Sequence, residues 1–166
     1  MTTIPFVNRQ IKERETKPLS NFNQVLFNQE FTHIIHCPIT IQGYFCVPET
    51  VESIGIEAFA RCRGLTKLFI PDSVKSIGCY AFSDCTELQT IHLQSNVPVK
   101  LNSDSGVFQN VDKSTCVLYV PNGAKPQYQV AESWNEFENI CEISEKIETN
   151  SRVYKLETPI KLYKIN

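Results

Sequence analysis

Ile70-Pro71-Asp72-Ser73-Val74-Lys75-Ser76-Ile77-Gly78 restates, almost residue for residue, Val47-Pro48-Glu49-Thr50-Val51-Glu52-Ser53-Ile54-Gly55. The match continues outward: Ala58-Phe59 returns as Ala81-Phe82, Cys62 as Cys85, Leu65 as Leu88 and Leu68 as Ile91. Each pair is separated by 23 residues, as Ile54 is from Ile77. A fixed period of this length is the signature of a solenoid, in which each repeat is one coil and the coils stack. The fold expected is therefore mainly β, a solenoid of about four coils, with short helical turns and a helical C-terminal cap.

Within one coil the residues divide by geometry. Leu68-Phe69-Ile70 and Ile91-His92-Leu93 alternate, so their two branched aliphatics point inward and the middle residue outward. Pro71 ends the first of these strands, because it donates no ladder hydrogen bond. A second short strand, Val51 to Ile54 or Val74 to Ile77, sends its end residues inward. Gly55 and Gly78 are expected to permit a tight bend. Phe59 and Phe82 fill the far end of the coil, and a short helical turn around Ala58 or Ala81 leads to the buried Cys62 or Cys85. Phe59, Phe82, Ile54 and Ile77 are all expected to be almost fully buried. Outward, Glu52 precedes Lys75 and Arg61 precedes Asp84 by one period, so opposite charges are expected on adjacent coils.

The remainder frames these coils. Residues 1–19 are polar and charged and read as a mobile leader, with a short helix over Arg9 to Glu15. The solenoid with its cap is placed at 20–143. Val25-Leu26-Phe27 and His33-Ile34-Ile35-His36 read as two strands joined by a polar turn through Asn28 to Glu30. Gly43 precedes a further strand, Tyr44 to Val47. After Leu93 the period slips. Cys116 to Pro121 reads as another strand, but Val120 follows Leu93 by 27 residues. The extra stretch, Ser95 to Gly106, is expected as a surface loop. A helix over Ala124 to Trp134, with Pro126 in its first turn, is expected to cover the open end of the array. The tail, 144–166, carries two alternating runs, Val153 to Leu156 and Ile160 to Ile165, that read as a hairpin.

Bulk properties exclude several function classes. The net charge of -2 and pI of about 5.9 give no electrostatic pull toward nucleic acid or an anionic membrane. No apolar run approaches the roughly 18 residues of a spanning helix. The N-terminus has no apolar stretch of signal-peptide length. As written the chain is expected in the cytoplasm; as the mature form of an exported protein it belongs outside, and both readings stay open. Seven cysteines, with no C-x-x-C pair, do not make a disulfide framework. Cys62 and Cys85 share a repeat position. They read either as buried small apolar residues or as a bridge between coils ~4.8 Å apart.

Chemistry is thinly signalled. His33, His36 and Cys37 are the nearest approach to a metal cluster, but His33 and His36 leave a strand on opposite faces, and no fourth ligand follows. Cys46 and His92 share a face two coils apart, ~9–10 Å by strand spacing, too far for a thiol and its base. The usual phosphate, nucleophile-elbow and zinc-protease motifs do not occur. No cofactor is expected. The surface that stands out is the outward face of the first strand, whose stacked positions are Cys46, Phe69, His92 and Tyr119, beside Tyr44, Lys67, Thr90 and Val117. Tyr44, Lys67, Phe69, His92 and Tyr119 are the candidate binding residues, since aromatics on a rigid exposed sheet suit protein or glycan binding. The competing reading makes them ordinary cross-strand neighbours covered by the leader or the tail.

The stretch Ile70 to Leu93 resembles the unit of the BspA-like leucine-rich repeat family: a strand ending in Ile-Pro, then Ser-Val-x-x-Ile-Gly, then Ala-Phe-x-x-Cys-x-x-Leu. Two flanking segments are also similar to modules of that family. One is the hairpin from Asn23 to Pro38. The other is the closing segment marked by Val107-Phe108, Val111 to Cys116, Leu118 to Pro121, Gly123, Tyr128, Trp134, Phe137 and Ile140. The resemblance spans roughly residues 22–142. It implies a right-handed solenoid and a non-enzymatic protein, secreted or displayed on the surface of host-associated bacteria. It also implies adhesion to a host matrix or cell-surface protein, or to a glycan. The expectation is a monomer that engages no nucleic acid and inserts into no membrane. The other reading is a structural fragment of a longer array with no ligand of its own.

Overall fold

The computed structural model describes residues 25–101 and 103–143. The expected leader and hairpin tail lie outside them. Two sheets run along the solenoid. One holds four short strands in the order β1 (Leu26–Phe27), β2 (His33–His36), β4 (Ser53–Ile54) and β6 (Ser76–Ile77). The other holds five: β3 (Gln42–Cys46), β5 (Gly64–Ile70), β7 (Thr90–Leu93), β8 (Val117–Pro121) and β9 (Asn139–Ile143). Among the described residues only β1 and β2 pair antiparallel, as the turn through Asn28 requires; every other described pairing is parallel. Between β8 and β9 lies helix α1, Lys125–Val130.

The repeat register is the one read from sequence. Leu68 pairs with Ile91, Ile70 with Leu93, and Ile54 with Ile77. Leu68, Ile70, Ile91 and Leu93 are buried, as are Val51, Val74, Phe59 and Phe82. Their rings form one column through the interior. Phe45 meets Phe59 at 5.1 Å, Phe59 meets Phe82 at 5.2 Å, Phe82 meets Phe108 at 5.6 Å, and Phe108 meets Trp134 at 5.2 Å. Burying one such ring stabilises by about 1.5–3 kcal/mol.

The third side of each coil is not a helical turn. It is a run of tight turns whose backbone groups alternate between two partners. Ala58, Ala60 and Cys62 donate within the coil, to Gly55, Glu57 and Phe59. Glu57, Phe59 and Arg61 donate to Cys79, Ala81 and Ser83 of the next coil, and Tyr80, Phe82 and Asp84 to Ser105, Val107 and Gln109 of the one after. Buried amides are thereby paired without helix or strand. The arrangement needs left-handed backbone at every fourth residue: Glu57 and Arg61, Tyr80 and Asp84, then Gly106 and Asn110. Only the third coil fills both positions with residues that favour this region.

Several expectations are corrected. Gly55 and Gly78 open tight turns, their carbonyls accepting the amides of Ala58 and Ala81, but neither has the positive φ that would require glycine. They let the coils approach: a Cβ on Gly78 would lie 2.5 Å from Ile56 N, and one on Gly55 would lie 2.8 Å from Ile34 O. Ile77 is half-buried, because among the described residues β6 is an edge strand and no further strand stacks on it as β6 stacks on β4. The charge pairs do not form. Lys75 Nζ donates to Asp72 O, and Asp84 accepts from Asn110 Nδ2. The ion pair among the described residues is Lys113–Glu136, at 3.0 Å.

The segment after Leu93 is more than a surface loop. Leu101 is buried, and Ser95 O and Val99 O accept hydrogen bonds from Tyr128 Oη at 2.9 Å and Trp134 Nε1 at 2.8 Å. It thus receives the polar ends of two buried aromatics, which otherwise would be stranded. The cap is also more than a helix. α1 ends at Val130, and Phe137 and Ile140 then lead into β9, which adds a further turn to the expected four. All seven cysteines are free. Cys85 Sγ lies 3.2 Å from Phe59 O, and burial pushes its thiol up to about 12.

Candidate binding face

The outward face of the five-stranded sheet is set by strand alternation. In each strand the residue between two inward aliphatics points out. Parallel register then stacks those residues: Cys46 beside Phe69, Phe69 beside His92, His92 beside Tyr119, and Tyr119 beside Cys141. The rings of Phe69 and His92 stack at 4.4 Å with 14° between their planes, and those of His92 and Tyr119 at 4.6 Å and 15°. These separations follow the ~4.8 Å strand spacing. The second column runs Tyr44, Lys67, Thr90, Val117, Asn139.

The structure brings all five candidate residues onto this one face. Their exposure differs from the expectation of a fully open row. Phe69, His92 and Tyr119 are half-buried, because each ring covers its neighbour's face, whereas Tyr44, at 38%, and Lys67 are exposed. Cys46 is buried. The competing expectation, a leader or tail lying over the face, falls outside the described residues. Cys141 and Asn139 extend both columns beyond the residues singled out from sequence. Their signal was the out-in-out reading of Asn139-Ile140-Cys141, masked because Glu142 then breaks the alternation.

Burial sets the electrostatics of this face. Burial, and then the nearby Lys67 ammonium, push His92 down to about 4, so the imidazole is neutral at pH 7. Its Nδ1 and the Thr90 hydroxyl are buried without hydrogen-bond partners. An orphaned polar atom of this kind costs about 1–3 kcal/mol. The face is thus three neutral stacked rings with one cation beside them. Phe69 lies between Cys46 and His92, so no thiol–imidazole pair forms there. The other histidines and Cys37 disperse. His33 Nδ1 lies 2.6 Å from Ser53 Oγ, His36 is exposed, and Cys37 is buried. Among the described residues, no three His, Cys, Asp or Glu side chains converge for a metal, and no helix is long and apolar enough to cross a membrane.

Two solved structures are similar to part of the chain. One solved structure, a leucine-rich cell-surface protein of Faecalibacterium prausnitzii A2-165, is 19% identical with a TM-score of 0.47, over 76% of this chain and 40% of that one. Another, a leucine-rich repeat protein of Eubacterium ventriosum ATCC 27560, is 22% identical with a TM-score of 0.37, over 61% of this chain and 32% of that one. The chain therefore spans less than half the length of either protein. No curated protein is significantly similar. Six copies of the BspA-type leucine-rich repeat are matched across residues 40–160, and the chain belongs to that family.

Proposed function

We propose that the chain is a non-enzymatic protein-binding module of a cell-surface leucine-rich repeat protein, and that it binds through Phe69, His92 and Tyr119 with Tyr44 and Lys67 at their side. The observation that carries this reading is the aromatic stack on a paired sheet. The rings stand in fixed positions before any partner arrives, so little side-chain entropy is lost on contact. Family membership supports display at the surface and a host matrix or cell-surface protein as partner. One observation favours a ligand-free structural unit instead: the rings already cover one another.

Binding of the purified chain to immobilised matrix proteins, glycans and intact host cells tests the proposal. The wild type should bind saturably to a protein component. The variant Phe69→Ala/Tyr119→Ala should stay folded and bind about tenfold more weakly or worse, because aromatic anchors dominate such interfaces. Saturable binding to glycans alone would replace the protein partner with a sugar. Equal binding by the variant would move the site elsewhere, and no binding by the wild type would leave the structural reading in place.

A further inference from the structure

Three buried cysteines follow one another along the solenoid, and they are not equivalent. Cys62 and Cys85 hold the same repeat position, 23 residues apart, so their side chains leave the backbone in the same direction. The Cys85 sulfur is turned to Phe59 O, at 3.2 Å. Cys37 lies 25 residues before Cys62, just after β2, and is out of step with the repeat. Its amide donates to Ala58 O at 2.6 Å, which pins its backbone against the coil that carries Cys62. The two sulfurs then meet at one place. Cys37 Sγ lies 4.0 Å and Cys62 Sγ 3.7 Å from the same carbonyl oxygen, Pro38 O, and Cys62 Sγ lies 3.9 Å from Cys37 O. The two thiols share a hydrogen bond. We infer that Cys37 and Cys62 are a redox pair, which a small disulfide oxidant closes to a bond tying the β1–β2 hairpin to the coil that follows it.

The backbone allows this bond. Neighbouring coils are one step of ~4.8 Å apart, inside the Cα separation that a disulfide spans. The chemistry has a direction. The hydrogen bond to Cys62, and then burial, push the Cys37 thiol up, while the same hydrogen bond pushes Cys62 down. Cys62 is therefore the thiolate that attacks. It bonds to one sulfur of the oxidant and expels the other as a thiolate. That thiolate takes the proton of Cys37. The Cys37 sulfur then attacks Cys62, the two join, and the second half of the oxidant leaves and takes up the proton that Cys62 first lost. Two thiols are oxidised, and one disulfide is reduced to two thiols. The bond would strengthen a thin junction, since β2 meets β4 through only two paired positions, His33 with Ser53 and Ile34 with Ile54. Cys85 takes no part, because its sulfur faces a carbonyl rather than a thiol.

Refolding the full chain in a mixture of reduced and oxidised glutathione tests this. The unfolded chain exposes both thiols to exchange, and the native geometry then selects the bond. The background Cys79→Ser/Cys141→Ser removes the two exposed thiols. Peptide mapping by mass spectrometry, without reductant, should find the Cys37–Cys62 bridge about tenfold or more above any other pair, since misplaced pairs are strained. The oxidised protein should melt about 5 °C or more above its reduced form, because the bond closes a loop in the unfolded chain. Cys37→Ala should abolish that shift, and Cys85→Ala should keep it. Mapping of the background protein decides the matter even where Cys37→Ala fails to fold. A Cys62–Cys85 bridge, glutathione held on either sulfur without closure, both thiols left unreacted, or equal melting of the two forms would each overturn the proposal.

Discussion

Two aromatic columns run along this solenoid, one inside and one outside, and they do different work. The inner column of Phe59, Phe82, Phe108 and Trp134 is buried throughout. The outer column of Phe69, His92 and Tyr119 is half-buried. Both owe their ring spacing, 5.2–5.6 Å inside and 4.4–4.6 Å outside, to the same coil-to-coil step. Inside, the positions hold three Phe and one Trp, because a close-packed core tolerates little change of volume. Outside, the same step carries Cys46, Phe69, His92, Tyr119 and Cys141, because strand register alone aligns them. Periodicity thus sets the spacing, and the side of the wall decides whether a stack fills the core or lines the outer face.

The harshest way to break the comparison is to remove the end of both columns. Truncation after Val120 deletes Trp134, Phe137 and β9, and leaves Phe108 without two of the three rings that pack on it. The product should aggregate, through exposed core and bare strand edges. A soluble monomer on light scattering would show that the last turn is dispensable.

A smaller effect separates coil stacking from side-chain packing. Gly78→Ala places a methyl group against the backbone of Ile56 and Gly55, so the coils must part. The cost should be about 1–3 kcal/mol, as for other overpacked sites, read by chemical denaturation. An unchanged midpoint would mean that close backbone approach does not limit this interface.

The outer column should also be felt through pH. His92 has a folded pKa near 4 against an ordinary value near 6.5. Between these values the unfolded chain binds a proton that the folded chain refuses. The stabilisation from keeping His92 neutral is therefore complete above about pH 6.5 and is lost progressively as pH falls toward 4. Melting temperatures of wild type and His92→Gln at pH 7 and pH 4.5 should converge on acidification. Identical pH dependence in the two proteins would remove His92 from the account.

The contrast between the columns also explains what the sequence made legible. Where the 23-residue period holds, from Val47 to Leu93, the inward residues were readable almost without error. Ile77 was the exception: its pattern is right, but among the described residues no strand stacks on the far side of β6. Beyond Leu93 the longer spacing hid the register, and the role of Val99 and Ser95 as acceptors for Trp134 and Tyr128 is tertiary. The spacing of Ala58, Cys62 and Leu65 imitates a helix, while the left-handed residues that prevent one, Glu57 and Arg61, carry no turn-forming identity. The outward columns were legible because parallel register follows from the repeat. The mutual covering of the rings was not, since it depends on rotamers.

The central claim is that one repeated geometry yields a column the fold depends on and a column it can spare. Equilibrium unfolding of Phe82→Ala beside Phe69→Ala tests it most directly. Phe82→Ala should lose ~3–5 kcal/mol from lost burial and the cavity left behind. Phe69→Ala should lose about 0.5–1.5 kcal/mol, the worth of an aromatic pair. Losses of equal size would show that the outer stack is as much a part of the fold as the inner one, and would contradict the account.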